Sequence, residues 1–281
     1  MIAVCPNPYR DKELKVTKKV LSLLNNEGFE TCVCPLFADQ DNKIIPEEIE
    51  THCLKKQATQ CSLVIVIGGD GTILSAVREL RDTPIPILGV NLGTKGFMST
   101  VEIEDLPQIL KAARNEMKVN RRMMLNVELR RGNDVIFNDC ALNDVVIHGH
   151  GDCIKIAAYC EGDKMISYSG DGIVLSTPTG STGYSMSAGG PIVEPDAENI
   201  LVSPICAHLI GSRPFVLSSN RVISVKAQKY HGKKAYLSVD GIFACDLENG
   251  DLIIAKKSEN YTLMADLGSK SFYDIAYEKL R

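Results

Sequence analysis

The stretch of sequence that decides the fold is LVIVIGGDGT, residues 63–72. Its first half is a continuous apolar run rich in β-branched residues, which is typical of a central strand in a parallel sheet. Three glycines follow at 68, 69 and 71, and apolar residues then recur at helical spacing over 72–80. The segment therefore predicts a buried strand, a tight glycine-rich turn and a helix.

Strand and helix patterns alternate on both sides of this segment. Before it we predict a strand over 2–5, a helix over 11–27, a strand over 29–34 and a weaker helix over 46–58. After it another strand is predicted over 85–90. Such alternation favours parallel βαβ units covered by helices, and hence a Rossmann-like α/β domain.

The pattern changes after a helix-like stretch at 105–115. From Met123 onward, short β-rich runs are separated by turn signals, as in an antiparallel sandwich. A helix-like segment at 181–188 interrupts these runs, and the last one, 272–280, again has helical spacing. We therefore divide the chain near residue 120 into an α/β domain and a sandwich-like all-β domain.

Composition excludes several classes of protein. The 281 residues carry a net charge of −4, whereas a general nucleic-acid binder is expected to be basic. The longest purely apolar run, 63–67, is far shorter than the roughly 20 residues that span a bilayer. No secretory signal is visible at the N-terminus. We therefore expect a cytoplasmic protein that binds neither nucleic acid nor membrane.

The ten cysteines and two closely spaced histidines do not indicate a metal site. No C-x-x-C is present, and Cys32 and Cys34 are spaced to point to the same face of a strand. We expect reduced and mostly buried thiols. His148 and His150 lack a third ligand at a suitable spacing, so a loop is the preferred interpretation there.

The glycine turn after the first strand suits a phosphate group. Gly68, Gly69 and Gly71 let backbone N–H groups approach a ligand closely, and the helix that starts near Thr72 adds its positive end. Asp70 would repel a phosphate unless it holds a metal or accepts a proton. The alternative is a glycine-rich turn in which Asp70 caps the helix. The spacing matches neither a Walker A loop nor the G-x-G-x-x-G dinucleotide motif.

A second glycine-containing loop, NLGTKGF at 91–97, follows the next predicted strand. Loops at the carboxyl ends of neighbouring parallel strands line the same crevice, so residues 68–72 and 91–97 should meet. Phe97 offers a ring on which a base could stack, although a phenylalanine is more often simply part of the core.

The longest polar signal lies in the β-rich half, at DGIVLSTPTGSTGYSMSAGGP, residues 171–191. An apolar strand opens into hydroxyl and glycine residues before a short helix, which favours a sugar-like or phosphate-bearing ligand. A hydroxyl-rich helix cap explains only one or two of these residues. Upstream, Asn143 and Asp144 precede another strand, where the carboxylate either holds a ribose diol or forms part of an ordinary turn.

Six motifs in this order resemble those of the NAD kinase family, ATP-dependent enzymes that make NADP from NAD. They are GGDGT at 68–72, NLGTKGF at 91–97, NDVV at 143–146, the 171–191 segment, SPICAHLIGSRP at 203–214 and SVDG at 238–241. The resemblance covers nearly the whole chain. It implies an ATP- and phosphate-binding domain over 1–120 on which 266–281 packs back, an NAD-binding domain over 121–265, and an active site between them.

The resemblance also implies a role for individual residues. Asp70 would be the general base that accepts the proton of the adenosine ribose 2′-hydroxyl of NAD, with Mg²⁺ or another divalent cation carried on ATP. The phosphate-binding residues would be Gly68, Gly69, Gly71 and Thr72. The NAD-binding residues would be Asp70, Gly71, Phe97, Asn143, Asp144, Asp171, Thr182, Gly183, Tyr184, Ser185, Met186 and Ser187.

Two positions depart from the family pattern, and two other functions stay open. Asp144 is shorter than the usual Glu, and Gly183 stands where Ala is common. A lipid kinase of the diacylglycerol or sphingosine type shares GGDGT but gives no reason for residues 171–191. A non-catalytic NADP sensor would not need Asp70. The resemblance implies a homodimer or homotetramer. It leaves open whether ATP or polyphosphate is the phosphate donor, and whether NAD or NADH is the preferred substrate.

Overall fold

A computed structural model describes residues 1–37, 45–93, 96–228, 233–268 and 270–279. The chain divides into two compact units, residues 1–121 with 262–281 and residues 122–261. The α-helices are α1 Lys15–Asn26, α2 Leu54–Gln57, α3 Asp70–Glu79, α4 Ile109–Ala113, α5 Tyr184–Ser187 and α6 Phe272–Lys279. Short 3₁₀ turns cover Lys12–Leu14, Ala58–Gln60, Ile103–Gln108 and Thr179–Thr182.

Sixteen strands are found in the described residues. The first eight are β1 Ile2–Pro6, β2 Thr31–Val33, β3 Leu63–Gly68, β4 Ile87–Asn91, β5 Lys118–Arg131, β6 Asp134–Ala141, β7 Asp144–Gly149 and β8 Ile154–Cys160. The others are β9 Asp163–Gly170, β10 Gly172–Ser176, β11 Asn199–Ile205, β12 Phe215–Ser218, β13 Ile223–Gln228, β14 Ala235–Val239, β15 Ile242–Asp246 and β16 Leu252–Asp266.

The first unit is a parallel sheet covered by helices. Its strands run in the order β2-β1-β3-β4, and Met264 at the end of β16 continues the sheet in parallel beside Ile87. All six residues of β3 are buried, as its apolar run predicts for a central strand. The carboxylate of Asp11 accepts the N–H groups of Val16 and Thr17 at 2.9 and 2.8 Å, so it holds the first turn of α1 in place.

The second unit is an antiparallel β-sandwich. One sheet has the order β12-β11-β10-β7-β14-β15, and in the other β16 pairs with β13, then β8 and β9, while β5 pairs with β16 and β6. Apolar side chains from both sheets form one core, among them Leu125, Ile147, Ile173, Val225 and Ile253. The predicted fold class, an α/β domain followed by an all-β sandwich, is confirmed.

Some local predictions were wrong or only partly right. The helix predicted over 46–58 is confined to α2 and a 3₁₀ turn at its end, because Thr51 instead forms a parallel β-bridge with Val33. The last helix ends at Lys279, and Leu280 lies outside the described residues.

The ten cysteines form no disulfide, but burial was overestimated. Cys5, Cys32 and Cys34 are buried, whereas Cys53 and Cys206 are exposed and the other five are intermediate. The Sγ atoms of Cys32 and Cys34 lie 3.9 Å apart, as expected for two side chains on one face of a strand. Among the described helices, none has the length and apolar character needed to cross a membrane.

Candidate active site

The GGDGT segment forms a closed loop between β3 and α3. Gly69 precedes the first helical residue, and its N–H donates to Thr72 Oγ1 at 3.3 Å. The same oxygen accepts a hydrogen bond from Asn7 Nδ2 at 3.3 Å. A Cβ on Gly68 would lie 2.3 Å from Thr72 Oγ1, so only glycine fits there. Thr72 is 3% exposed, and its hydroxyl is engaged in holding the loop closed.

Asp70 anchors the second glycine loop. Its carboxylate accepts the N–H groups of Phe97 at 2.7 Å, Met98 at 3.1 Å and Ser99 at 3.3 Å. The N-cap of α3 is Gly69, so the alternative in which Asp70 caps this helix is wrong. Where the structure describes both loops, residues 68–72 and 91–97 meet as predicted. Thr94 and Lys95 lie outside the described residues.

Gly71 is the open position of the loop. It is exposed in the first turn of α3, and a Cβ built there would find no atom within 4 Å. The first N–H groups of a helix have no acceptor within the helix and carry the positive end of its dipole. A phosphate can therefore approach this turn without a steric barrier.

In the second unit, Asn143 and Asp144 begin β7 in a tightly fixed conformation. The carboxylate of Asp240 accepts the N–H groups of Leu142 at 2.8 Å, Asn143 at 2.7 Å and Asp144 at 3.1 Å. Thr177 Oγ1 donates to the Leu142 carbonyl oxygen at 2.5 Å from the other side. The backbone of the pair is thus held in place, and its two side chains are left for other partners.

Both side chains of this pair have unusual surroundings. Asp144 is 6% exposed, and burial followed by the nearby charge of Asp240 raises its pKa to about 7. Asn143 Oδ1 is buried and accepts no hydrogen bond from the described residues. A Cβ on Gly183 would lie 3.7 Å from Asn143 Nδ2 and 3.8 Å from Asp144 Oδ2. A carboxyl, an amide and a glycine therefore face one small region.

The 171–191 segment provides β10, a 3₁₀ turn and α5. Ser185 is fully buried, and its hydroxyl lies 3.0 Å from that of Ser203 on β11, which fastens α5 to the sheet. Tyr184 is 40% exposed. Burial raises the pKa of the Tyr184 phenol, and the neighbours that raise it further are Tyr236, Cys206, Asp171 and Asp144. Asp144 and Asp171 therefore lie near enough for their charges to act on the Tyr184 phenol.

The remaining predicted residues lie on the 3₁₀ turn and α5 of this segment, except Phe97, which lies in the loop after β4. Thr182 is half-buried at the end of the 3₁₀ turn, Met186 is half-buried in α5, and Ser187 is exposed. Phe97 is half-buried, and its N–H, rather than its ring, makes the contact to Asp70 described above. The described residues contain no group of three His, Cys, Asp or Glu side chains that could hold a metal ion.

Asp240 is a residue of this site whose part the sequence did not reveal. It lies 96 positions after Asp144 and directly after β14, which pairs with β7, so its carboxylate can accept the N–H group at the start of β7. The available signal was the Asp-Gly pair in SVDG, which predicts a turn. Both residues indeed have positive φ, 48° for Asp240 and 76° for Gly241.

Gly180 provides a test of how tightly the 3₁₀ turn packs on Asn143. A Cβ at residue 180 would lie 2.1 Å from the Asn143 carbonyl oxygen, which is fixed backbone. Gly180→Ala should therefore lower the free energy of unfolding by about 1–3 kcal/mol, the usual cost of overpacking. Gly71→Ala, whose Cβ has open space, is the matched control and should not lose stability in the same denaturant titration. Equal stability of the two variants would contradict the packing described here.

The first unit is a parallel sheet with a glycine-rich strand-to-helix loop, and the antiparallel sandwich that follows it in the chain carries its own polar segment. Together these features define a class of nucleotide-dependent phosphotransferases. Comparison with known families agrees. The model of the ATP-NAD kinase N-terminal domain matches residues 2–117, and that of the ATP-NAD kinase C-terminal domain matches residues 142–267. The chain belongs to the ATP-NAD kinase family.

Individual relatives show the same similarity over the full length. The NAD kinase of Acetivibrio thermocellus is 36% identical over 286 residues, which cover 99% of this chain and 96% of that protein. The crystal structure of yeast NADH kinase with NADH has a TM-score of 0.87 at 25% identity, covering 99% of this chain and 86% of that one. An NAD kinase from Archaeoglobus fulgidus in complex with ATP has a TM-score of 0.77 at 25% identity, covering 100% and 99%.

Proposed function

We propose that this chain is an NAD kinase, which transfers the γ-phosphoryl group of ATP to the 2′-hydroxyl of the adenosine ribose of NAD. The observation that carries this proposal is that both ATP-NAD kinase domain models match, one on each unit. The relatives named above include a protein solved with ATP and one solved with NADH, so both substrate classes occur in similar proteins.

The chemistry requires a proton acceptor, and Asp70 is proposed to be that base. The 2′-hydroxyl is a weak nucleophile until its proton has an acceptor. Its oxygen then forms a bond to the γ-phosphorus, the bond from the γ-phosphorus to the bridging oxygen breaks, and ADP leaves. The N–H groups of Phe97 and Met98 hold the Asp70 carboxylate in a fixed orientation. Positioning of this kind supplies much of the rate in phosphoryl transfer.

The other assignments divide between the two units. For the phosphates we propose the loop of Gly68, Gly69, Gly71 and Thr72, with Thr72 acting by closing the loop rather than by an open hydroxyl. For NAD we propose Asp70, Gly71, Phe97, Asn143, Asp144, Asp171, Thr182, Gly183, Tyr184, Ser185, Met186 and Ser187. Ser185 would act through its backbone, because its hydroxyl is engaged with Ser203.

The divalent cation is proposed to enter with ATP. Mg²⁺ usually keeps several waters and binds mainly through substrate phosphates, so dedicated protein ligands are few. We further propose that the protein is cytoplasmic and forms a homodimer or homotetramer. Size-exclusion chromatography with light scattering would test the oligomeric state.

The decisive assay is incubation with NAD, ATP and Mg²⁺, followed by enzymatic detection of NADP. Formation of NADP at a rate proportional to protein concentration is the expected result. The lipid kinase alternative is not favoured, because both matching family models and the relatives reported above are those of NAD or NADH kinases. A sensor that binds NADP but makes none would appear as a folded protein without turnover.

NAD should also stabilise the protein against heat. A ligand that binds only the folded state, present at 100 times its Kd, adds about 2.7 kcal/mol to the free energy of unfolding. For a chain of this size that corresponds to a rise of several degrees in Tm, on the order of 2–4 °C per kcal/mol. Diacylglycerol in detergent micelles is the control and should have no effect. Stabilisation by the lipid without any response to NAD would contradict the proposal.

A further inference from the structure

One cation lies against both glycine loops of the first unit. Arg10 Nη1 would be 3.6 Å from a Cβ built on Gly69 and 3.2 Å from a Cβ built on Gly93. These glycines follow β3 and β4 respectively, so the guanidinium lies beside both loops at the carboxyl edge of the sheet. A Cβ at residue 69 would make ordinary van der Waals contact with the arginine, and one at residue 93 would come slightly closer than that.

The backbone of Arg10 is fixed with respect to the GGDGT loop. The N–H of Asn7 donates to the carbonyl oxygen of Ile67 at 2.9 Å, and that of Arg10 donates to the carbonyl oxygen of Asn7 at 3.0 Å. The Asn7 side chain donates to Thr72 Oγ1, as described above. On the other side, Asp11 is held by its bonds to the start of α1. The arginine therefore projects from a rigid turn.

The charged group itself is available. Arg10 is exposed, and within the described ranges its guanidinium makes no hydrogen bond or ion pair. The neighbouring carboxylate, Asp70, accepts N–H groups from residues 97–99 instead. A guanidinium presents five N–H donors in a planar fork that matches phosphate oxygens.

Charge balance indicates what this arginine binds. A triphosphate that approaches the loop meets the negative charge of Asp70, and the helix end offers only partial positive charge against it. A full cation beside Gly69 offsets that repulsion. We propose that Arg10 binds the phosphate oxygens of ATP and so positions the donor at the GGDGT loop. This inference rests on the proposed function, because it assigns a residue to the donor of that reaction.

The test separates binding of the donor from binding of NAD. Arg10→Ala should raise the KM for ATP by about 10- to 100-fold, the range for hydrogen bonds to a charged group, and leave the KM for NAD unchanged. Arg10→Lys keeps the charge without the fork and should lie between Ala and wild type. Lys12→Ala, which removes an exposed positive charge two residues away, should keep the wild-type KM for ATP. Thermal unfolding would confirm that each variant is folded.

Inorganic tripolyphosphate is the second probe, because it offers phosphates without a nucleoside. It should compete with ATP in the wild type, and calorimetry should show its binding weakened in Arg10→Ala by a factor similar to that for ATP. Folded Arg10→Ala with wild-type affinity for ATP and tripolyphosphate would overturn the inference. Calorimetry does not depend on turnover, so a wild-type protein that makes no NADP would refute the kinase proposal while leaving this test intact.

Discussion

Asp70→Asn is expected to lower kcat by about 10²–10⁴-fold, the usual contribution of a general base. Asn has nearly the shape of Asp but carries no charge and accepts no proton from the 2′-hydroxyl. Most proposed NAD contacts lie on residues 143–144 and 171–187, so NAD binding measured by calorimetry should survive. The rate of NADP formation at saturating NAD and ATP is the quantity to compare.

The structure requires one further control for this variant. The Asp70 carboxylate also accepts N–H groups from residues 97–99, and an Asn side chain has only one oxygen for them. Ser99→Ala removes the contact at 3.4 Å between Ser99 Oγ and Asp70 Oδ1 and keeps the carboxylate. It should lower kcat far less than Asp70→Asn. Near wild-type turnover in a folded Asp70→Asn protein would remove Asp70 from the mechanism.

Asp144→Asn is expected to raise the KM for NAD by about 10- to 100-fold at pH 8, where the wild-type carboxylate is ionised and can accept a charge-assisted hydrogen bond. The pKa of Asp144 is raised to about 7 by burial and by Asp240. Below pH 6 the wild-type group is protonated and resembles an amide, so the two proteins should become similar. The KM for NAD measured from pH 5.5 to 8.5 tests this convergence.

The same substitution should also change the free energy of unfolding, and this effect should likewise grow as the pH rises. The carboxyl binds its proton more tightly in the folded protein, with a pKa near 7, than in the unfolded chain, with a pKa of 3.8. Its contribution to stability is complete below pH 3.8 and is lost as the pH rises to about 7. About three pKa units at 1.36 kcal/mol each give an upper bound of about 4 kcal/mol. Asp144→Asn should thus gain stability relative to wild type over this window.

Asp246→Asn provides the matched control for the KM measurement. Asp246 is an exposed carboxylate on β15 of the same sheet, 3.3 Å from His150. Its replacement removes the same charge and should leave the KM for NAD unchanged. A wild-type KM in folded Asp144→Asn at pH 8, with an altered KM for ATP only, would show that Asp144 serves the other substrate.

Much of the fold was predictable because its signals are local. The apolar run of β3 and the glycines that follow it specify strand, turn and helix within ten residues. Likewise, the order of strand and helix patterns is sufficient to predict a parallel sheet followed by a sandwich. The weaker pattern over 46–58 misled, since Thr51 bridges Val33 in another part of the chain and the sequence between them does not encode that pairing.

The candidate residues themselves could also be identified in the sequence, in GGDGT and in residues 143–144 and 171–191. Turns and helix caps account for only a few of the glycine and hydroxyl residues in such runs, so a ligand is the simpler explanation for the rest. Their partners were decided only by the tertiary structure. Asp70 anchors residues 97–99, Asp240 holds a segment about 100 positions earlier, and Arg10 reaches Gly93. The physical reason is range: backbone propensity and hydrophobic periodicity act over a few residues, whereas a hydrogen bond or a charge acts on whatever the folded sheets bring near. The raised pKa of Asp144 is of this second kind, since burial and Asp240 create it and neither exists in the unfolded chain.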